Sequence, residues 1–197
     1  METTTIAALM TYVFVMSITP GPNNLLLASS GLMFGMGRTL PHIVGIPTGV
    51  ICQLLLVGGG LGSLFALEPR VQLGLKAAGT AYLLWLSMKL WQTDAMSPAS
   101  TSQPISFWQA VSFQFINPKS WLIALTAISA FLKAGSDKPY QMFIICLAFA
   151  LIGTPCMVFW AAMGAGLRRS LSDAVKIRRV NRVLAILAAA TGLMFWM

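Results

Sequence analysis

The chain has 197 residues, of which 57% are hydrophobic and only 9% are charged. A soluble domain carries about 25% charged residues, so the composition excludes a soluble globular protein and predicts one compact integral membrane domain. The net charge of +8 does not indicate nucleic-acid binding, because six of the thirteen basic residues fall within the short stretch 168–182. Such clusters are typical of the cytoplasmic side of membrane proteins.

Six apolar stretches follow one another along the chain, and each is predicted to cross the membrane as a helix. A bilayer core about 30 Å thick needs roughly 20 apolar residues in helical form. The last stretch is the shortest, and a basic interfacial helix is expected before it, over 167–181. The predicted spans are 5–34, 40–67, 71–91, 107–132, 140–167 and 182–197. The predicted fold class is therefore all-α and integral to the membrane, with six transmembrane helices.

Proline-rich motifs interrupt the first and fourth spans near their middle. The first motif is TPGPNN at 19–24, and the second is NPKS at 117–120. Proline removes a backbone donor and clashes with the preceding turn, so each motif is expected to break its helix. Lipid cannot satisfy the carbonyls that a break frees, so both breaks should be buried in protein or line a wet cavity. The residues predicted to form the breaks are Pro20, Gly21, Pro22 and Pro118.

The two breaks also indicate an internal repeat. The segment GPNNLLLA at 21–28 aligns with NPKSWLIA at 117–124. A polar linker at about 93–104, rich in Ser and Pro, would separate repeat 1 at about 1–92 from repeat 2 at about 105–197. Three spans in each half give the halves opposite orientations, the inverted repeat found in many secondary transporters. Chance similarity between apolar sequences is the alternative.

The distribution of Lys and Arg predicts the orientation in the membrane. With six spans, Arg38, Lys89 and the stretch 167–182 share one side and hold eight basic residues. The opposite side holds Arg70, Lys76, Lys133 and Lys138. The more basic side faces the cytoplasm, so both termini are predicted to be extracytoplasmic.

Lys119 is the only ionisable residue at the centre of a span. A charge there costs at least about 2.5–3.5 kcal/mol on insertion scales, so a functional role is the default interpretation. Lys119 could attract a substrate carboxylate or exchange a proton; alternatively, it snorkels or pairs with freed carbonyls of its own break. Asn23, Asn24 and Asn117 could bind the amino and carboxylate groups of a zwitterion, or they could cap the interrupted helix ends.

Other polar residues within the spans have less specific interpretations. Gln53 and Gln114 either line the cavity or form interhelical hydrogen bonds. His42 lies near the cytoplasmic end of its span, where an interfacial role is favoured over titration. The glycines at 58–60 and 62 should permit close helix packing. All five acidic residues lie in or next to loops, which argues against a metal-cation transporter, and neither a metal nor another cofactor is predicted.

Several motifs in chain order give the sequence a family resemblance. They are TPGPN at 19–23, the glycine-rich second span, AYLLWL at 81–86 and NPK at 117–119. Together, over essentially the whole chain, they resemble the LysE/RhtB family of bacterial amino-acid exporters. PISFW at 104–108 with Gln114 and Phe115 is similar to the cysteine and O-acetylserine exporter subgroup.

The resemblance implies export of neutral or basic amino acids and their derivatives across the bacterial inner membrane, driven by the proton gradient. Many members carry an aspartate in the second helix where this chain has Val50. That difference argues against coupling through a carboxylate at this position.

These observations predict a secondary transporter rather than an enzyme, with its substrate site between the two broken helices. The expected partners are a small amino-acid-like substrate and the lipid bilayer, not nucleic acid, and assembly as a homo-oligomer is left open. A non-transporting scaffold is one alternative, and it predicts breaks packed shut without a cavity. A membrane thiol oxidoreductase is another, and it would need the Cα atoms of Cys52 and Cys156 about 4.4–6.8 Å apart.

Overall fold

A computed structural model of the chain describes residues 1–62, 68–92, 103–133, 135, 137–170 and 174–196. Every regular element in these ranges is helical, which confirms the all-α prediction. The helices are α1 Thr3–Ile18, α2 Pro22–Phe34, α3 Met36–Leu56, α4 Pro69–Gln92, α5 Phe107–Ile116, α6 Pro118–Phe131, α7 Lys138–Ala148, α8 Thr154–Ser170 and α9 Ala174–Met194. Short π-helical segments extend α3 over Val57–Leu61 and join α7 to α8 over Phe149–Gly153.

Two continuous helices in the described ranges are long and apolar enough to cross a membrane, Met36–Leu61 and Lys138–Arg168. The pair α1 and α2 passes the same test as one span bent by 54°. The other three predicted spans stay predictions. Many large apolar side chains face outward from the helices, among them Phe14, Leu84 and Phe159, as a lipid-facing surface requires.

Both predicted breaks are present. The first separates α1 from α2 by three residues, and the second separates α5 from α6 by Asn117 alone. Pro22 and Pro118 each occupy the first position of the helix that follows. The missing proline N–H costs little there, because the first N–H groups of a helix have no intrahelical partner.

The prediction of a separate interfacial helix over 167–181 is wrong. α8 continues to Ser170, and α9 already begins at Ala174, so the basic stretch belongs to two longer helices. At 1.5 Å per residue, the 21 residues of α9 extend about 31 Å, so the last helix is longer than the sequence pattern suggested. Lys and Arg are good helix formers, and the apolar pattern alone therefore marks the start of this helix too late. The predicted linker 93–104 lies outside the described residues except for Gln103 and Pro104.

The closest helix packing joins the two halves of the chain. α2 packs along α8, α3 along α5, and α4 along α9. Small residues permit these contacts: a Cβ atom on Gly31 or Gly164 would overlap a backbone carbonyl of the opposing helix. A Cβ atom on Gly45 would lie 2.6 Å from the Phe107 carbonyl oxygen. The packing role predicted for residues 58–60 holds only for Gly58, which contacts Met142, because the space beside the other two is open.

Candidate substrate site between the two broken helices

A cavity of about 50 Å³ lies between the two breaks, whereas a scaffold with packed breaks would have none. Its wall includes six residues that the sequence predicted for the site or the breaks: Gly21, Pro22, Asn23, Asn24, Asn117 and Lys119. Apolar side chains from α3, the second π-helical segment and α8 complete much of the wall: Ile46, Val50, Phe149 and Met157. Val50, where the family resemblance led us to expect an aspartate, therefore lines the cavity.

Side chains from other elements satisfy the carbonyls that the first break frees at the end of α1. Asn24 Nδ2 donates to the carbonyl oxygens of Ser17 at 2.9 Å and Thr19 at 2.7 Å. Trp160 Nε1, from α8, donates to the Ile18 carbonyl at 3.1 Å. The end of α1 is thus held by its own successor helix and by the other half of the chain, as a break at membrane depth requires.

Lys119 completes this arrangement from α6. Its Nζ donates to the Thr19 carbonyl at 3.1 Å and to the Pro20 carbonyl at 3.2 Å. A lysine ammonium is stabilised there because the carbonyl end of a helix carries partial negative charge. Of the alternatives for Lys119, pairing with freed carbonyls is realised, but the carbonyls belong to the opposite break. Gly21 leaves room for the lysine, since a Cβ atom at Gly21 would lie 2.8 Å from Nζ.

The second break is capped from close by. The Asn117 side-chain oxygen accepts from the Lys119 backbone N–H at 3.1 Å and so caps α6. Trp121 Nε1 donates to the Phe115 carbonyl at 2.9 Å. Gln53 Nε2, from α3, donates to the Gln114 carbonyl at 2.9 Å.

Neither Gln53 nor Gln114 is among the residues that line the cavity, and both make interhelical hydrogen bonds. Gln114 and Asn23 form a reciprocal amide pair, with Asn23 Nδ2 donating at 2.9 Å and Gln114 Nε2 donating back at 3.1 Å. The side-chain oxygen Oε1 of Gln53 accepts from the Ser120 hydroxyl. These contacts connect α2 to α5, and α3 to both α5 and α6.

One polar atom at the cavity has no partner. Asn24 is 3% exposed, and its Oδ1 is buried without a hydrogen bond within the described part of the chain. A buried acceptor without a partner costs about 1–3 kcal/mol, so such an atom calls for an explanation. The cavity wall therefore includes both Lys119 and an asparagine with an unsatisfied acceptor, and no Asp or Glu is among its described lining residues. This combination matches the carboxylate and ammonium groups of a zwitterion.

The sequence patterns missed three residues of the site. Ser17 and Ser120 line the cavity, and Trp160 holds the end of α1. A small polar residue within one turn of each break is a signal that would have indicated the two serines. Trp160 lies far along the chain in an apolar helix, and no pattern marks it.

The remaining predicted positions lie outside the cavity wall. Pro20 contributes its carbonyl to Lys119, and Pro118 lies against α4, where a Cβ atom on Gly79 would clash with the proline ring. Cys52, Cys146 and Cys156 are all free thiols.

Comparison with known proteins gives matches over most of the chain. The family model described as LysE type translocator matches residues 14–197. Cysteine/O-acetylserine efflux proteins are similar in sequence: that of Klebsiella pneumoniae is 33% identical over 83% of this chain and 84% of its own length. The proteins of Salmonella typhimurium and Escherichia coli K12 are 31% and 32% identical, over 92% and 95% of both chains. No solved structure gives a significant match.

Proposed function

The chain belongs to the LysE type translocator family, and on that premise we propose that it exports small neutral amino acids from the bacterial cytoplasm across the inner membrane. Cysteine and O-acetylserine are the first substrates to test, because relatives named for their efflux align with nearly the whole chain. The observation that carries the proposal is that one cavity is lined both by Lys119 and by Asn24, whose Oδ1 has no partner in the described part of the chain.

In the proposed complex, Lys119 binds the substrate carboxylate and Asn24 Oδ1 accepts from its ammonium group. A lysine ammonium has three N–H donors, so it can bind a carboxylate while keeping contact with the carbonyls of Thr19 or Pro20. Asn23 and Asn117 supply further polar groups at the cavity wall. The apolar wall around Val50 and Met157 would receive the side chain of the substrate.

Substrate entry requires the cavity to widen. Its volume of about 50 Å³ is well below the roughly 300 Å³ at which ligand pockets begin, so this conformation is a narrowed one. The breaks at Pro22 and Pro118 are the proposed hinges for alternating access. Opening toward α5 would separate the amide pair of Asn23 and Gln114, which joins α2 to α5 in this conformation.

The proposed architecture is six spans in two inverted repeats. Each half contains a broken helix, a long helix with a π-helical segment, and a third helix, in the same order. The broken helix of each half packs against the long helix of the other half, and the third helices pack against each other. This exchange of contacts is the pattern that a twofold relation between repeats produces. The distribution of basic residues supports an orientation with both termini outside the cytoplasm, which is part of the proposal.

Export is proposed to be driven by the proton gradient. Among the described residues, no carboxylate lines the central cavity, and Lys119 is the one ionisable side chain in its wall. Lys119 is therefore the residue proposed to release and regain a proton during the transport cycle. The alternative is that the substrate itself carries the proton.

The test is efflux from cells preloaded with labelled O-acetylserine, cysteine, homoserine, leucine or lysine. Cells carrying the protein are compared with cells carrying empty vector, with and without an uncoupler. Uncoupler-sensitive efflux of O-acetylserine or cysteine above the vector level is expected. Efflux at the empty-vector rate for every amino acid of the panel would reject the amino-acid exporter. Efflux that the uncoupler does not reduce would reject only the proton coupling.

A further inference from the structure

A second, larger cavity of about 590 Å³ lies between α2, α3, α4 and α5. Apolar and aromatic side chains form much of its wall, including Leu26, Trp85 and Phe113. Its polar lining residues include Ser29, Ser30, His42, Tyr82, Gln109 and Ser112. A cavity of this size and composition lies within the range of small-molecule sites, roughly 300–1,000 Å³ with a few polar groups on an apolar wall.

His42 is the most unusual residue of this wall. Its side chain is 0% exposed, and in the described part of the chain neither ring nitrogen has a hydrogen-bond partner. Its polar neighbours are already engaged, since the Ser30 hydroxyl is 2.9 Å from that of Thr39, and Thr39 also donates to the Gly35 carbonyl. A neutral imidazole offers one donor and one acceptor, so the wall of the cavity contains one unsatisfied group of each kind at His42.

The cavity and the central site share walls formed by α2 and α3. Leu26 of α2 lies about one turn beyond Asn23, and Phe113 of α5 directly precedes Gln114. The amide pair of Asn23 and Gln114 therefore connects a residue of the central cavity wall to a neighbour of the larger cavity wall.

The charge of the wall favours a solute with an anionic group. Lys89 lines the cavity, with its ammonium 5.3 Å from the centre of the Trp85 ring, and no Asp or Glu is among the lining residues that the structure describes. Lys89 also belongs to the side that the basic residues assign to the cytoplasm. The cavity thus lies where a solute leaving the cytoplasm would first meet the protein.

We propose that the cavity at His42 is a second binding site for the exported amino acid, occupied before the central cavity. The carboxylate faces Lys89, and the amino group donates to His42. This inference rests on the proposed function and adds a site and an order of binding to it.

The test follows the reaction of individually introduced cysteines with a membrane-permeant methanethiosulfonate reagent in inside-out membrane vesicles. Ser112→Cys reports on the His42 cavity, Ser17→Cys reports on the central cavity, and Ser129→Cys on the exposed face of α6 is the control. The native cysteines stay in place, and mass spectrometry quantifies each modified peptide separately. The probe is O-acetylserine, which has no thiol to consume the reagent.

O-acetylserine is expected to slow labelling several-fold at Ser112→Cys and at Ser17→Cys, but not at Ser129→Cys. Adding His42→Phe should remove protection at Ser112→Cys, and His42→Gln should restore part of it, because an amide also offers a donor and an acceptor. Adding Lys119→Met should leave protection at Ser112→Cys in place. This last arm keeps His42 and so does not depend on the folding of the His42 variants.

Three outcomes separate the inference from the proposed function. Protection at Ser17→Cys without protection at Ser112→Cys would overturn the second site and leave the exporter standing. Protection at Ser112→Cys that survives His42→Phe, or that disappears with Lys119→Met, would assign it to the central site and also overturn the inference. Failure of the wild-type chain to export any amino acid of the panel would reject the exporter, and the second site with it.

Discussion

The break between α1 and α2 contains three residues, whereas the break between α5 and α6 is the single residue Asn117. At the first break, the freed carbonyls bind side chains from α2, α6 and α8. At the second break, Asn117 caps α6 through its own side chain, and Trp121 reaches back to the Phe115 carbonyl within the same segment. The first break therefore depends on tertiary contacts, and the second is satisfied largely by its neighbours in sequence.

The two breaks therefore contribute to the site in different ways. Lys119 begins the helix after the second break, but its ammonium binds carbonyls of the first. The second break, which is capped locally, thus positions the Lys119 ammonium at the carbonyls of the first break. A substrate carboxylate that competes for this ammonium would change the contacts of α1 and leave the cap of α6 intact.

Removing the lysine charge should have the largest effect. Lys119→Met keeps the aliphatic chain but leaves the Thr19 and Pro20 carbonyls without their charged donor. Hydrogen bonds to charged groups are worth roughly 1.5–3 kcal/mol, so efflux should fall by about 10- to 100-fold. Initial efflux rates, normalised to the amount of protein in the membrane, measure this. Lys133→Met, at an exposed position after α6, is the control, and unimpaired efflux by Lys119→Met would refute the role of the lysine.

Asn24→Leu should be the next most severe change, and it tests whether the first break depends more on its side-chain donors than the second break does. The substitution keeps the size of the side chain and leaves the Ser17 carbonyl without its amide donor, while the Thr19 carbonyl keeps Lys119 as a donor. Each unsatisfied buried group costs about 1–3 kcal/mol, so thermal stability in detergent should fall more than for Asn117→Leu, which loses one helix cap worth about 1 kcal/mol. Equal losses for both variants would mean that the two breaks are held alike.

Gly21→Ala should have an intermediate effect, because it alters the same contact without removing a polar group. The new methyl would lie 2.8 Å from Lys119 Nζ and 2.9 Å from its Cδ, so the lysine has to move away from the carbonyls. A several-fold lower efflux rate is expected. Gly153→Ala is the matched control in the same cavity, where the methyl meets only the Ser17 hydroxyl at 3.5 Å. Similar losses for both alanine variants would indicate filling of the cavity rather than displacement of the lysine.

The smallest effect is expected from Asn117→Ser. Serine also accepts a hydrogen bond at an N-cap position and differs from asparagine by only a few tenths of a kcal/mol there. Efflux and thermal stability should therefore stay within about twofold and a few degrees of wild type, whereas Asn117→Ala should lose about 1 kcal/mol. A large loss of efflux in a stable Asn117→Ser variant would show that the amide contacts substrate. The second break would then bind substrate directly as well as position Lys119.

Much of the helical framework was predictable from the chain alone. Apolar stretches and proline positions located the long helices and both breaks, because proline acts on its own turn and the cost of burying polar backbone in lipid is local. The start of α9 was not predictable, because the sequence does not show whether the basic residues before the apolar part belong to the same helix. The two breaks were also expected to lie close together, and the residues of both breaks line one cavity: Asn23, Asn24, Asn117 and Lys119.

The partner of each side chain could not be predicted in this way. The sequence by itself determined that polar groups occur at two interruptions of an apolar fold. Only the tertiary structure decided that Lys119 binds the opposite break, that Trp160 holds α1, and that Asn24 Oδ1 and the His42 ring nitrogens have no partner among the described residues. Hydrogen bonds between helices depend on how the helices cross and how closely glycines let them approach, and these relations join residues about 90 to 140 positions apart.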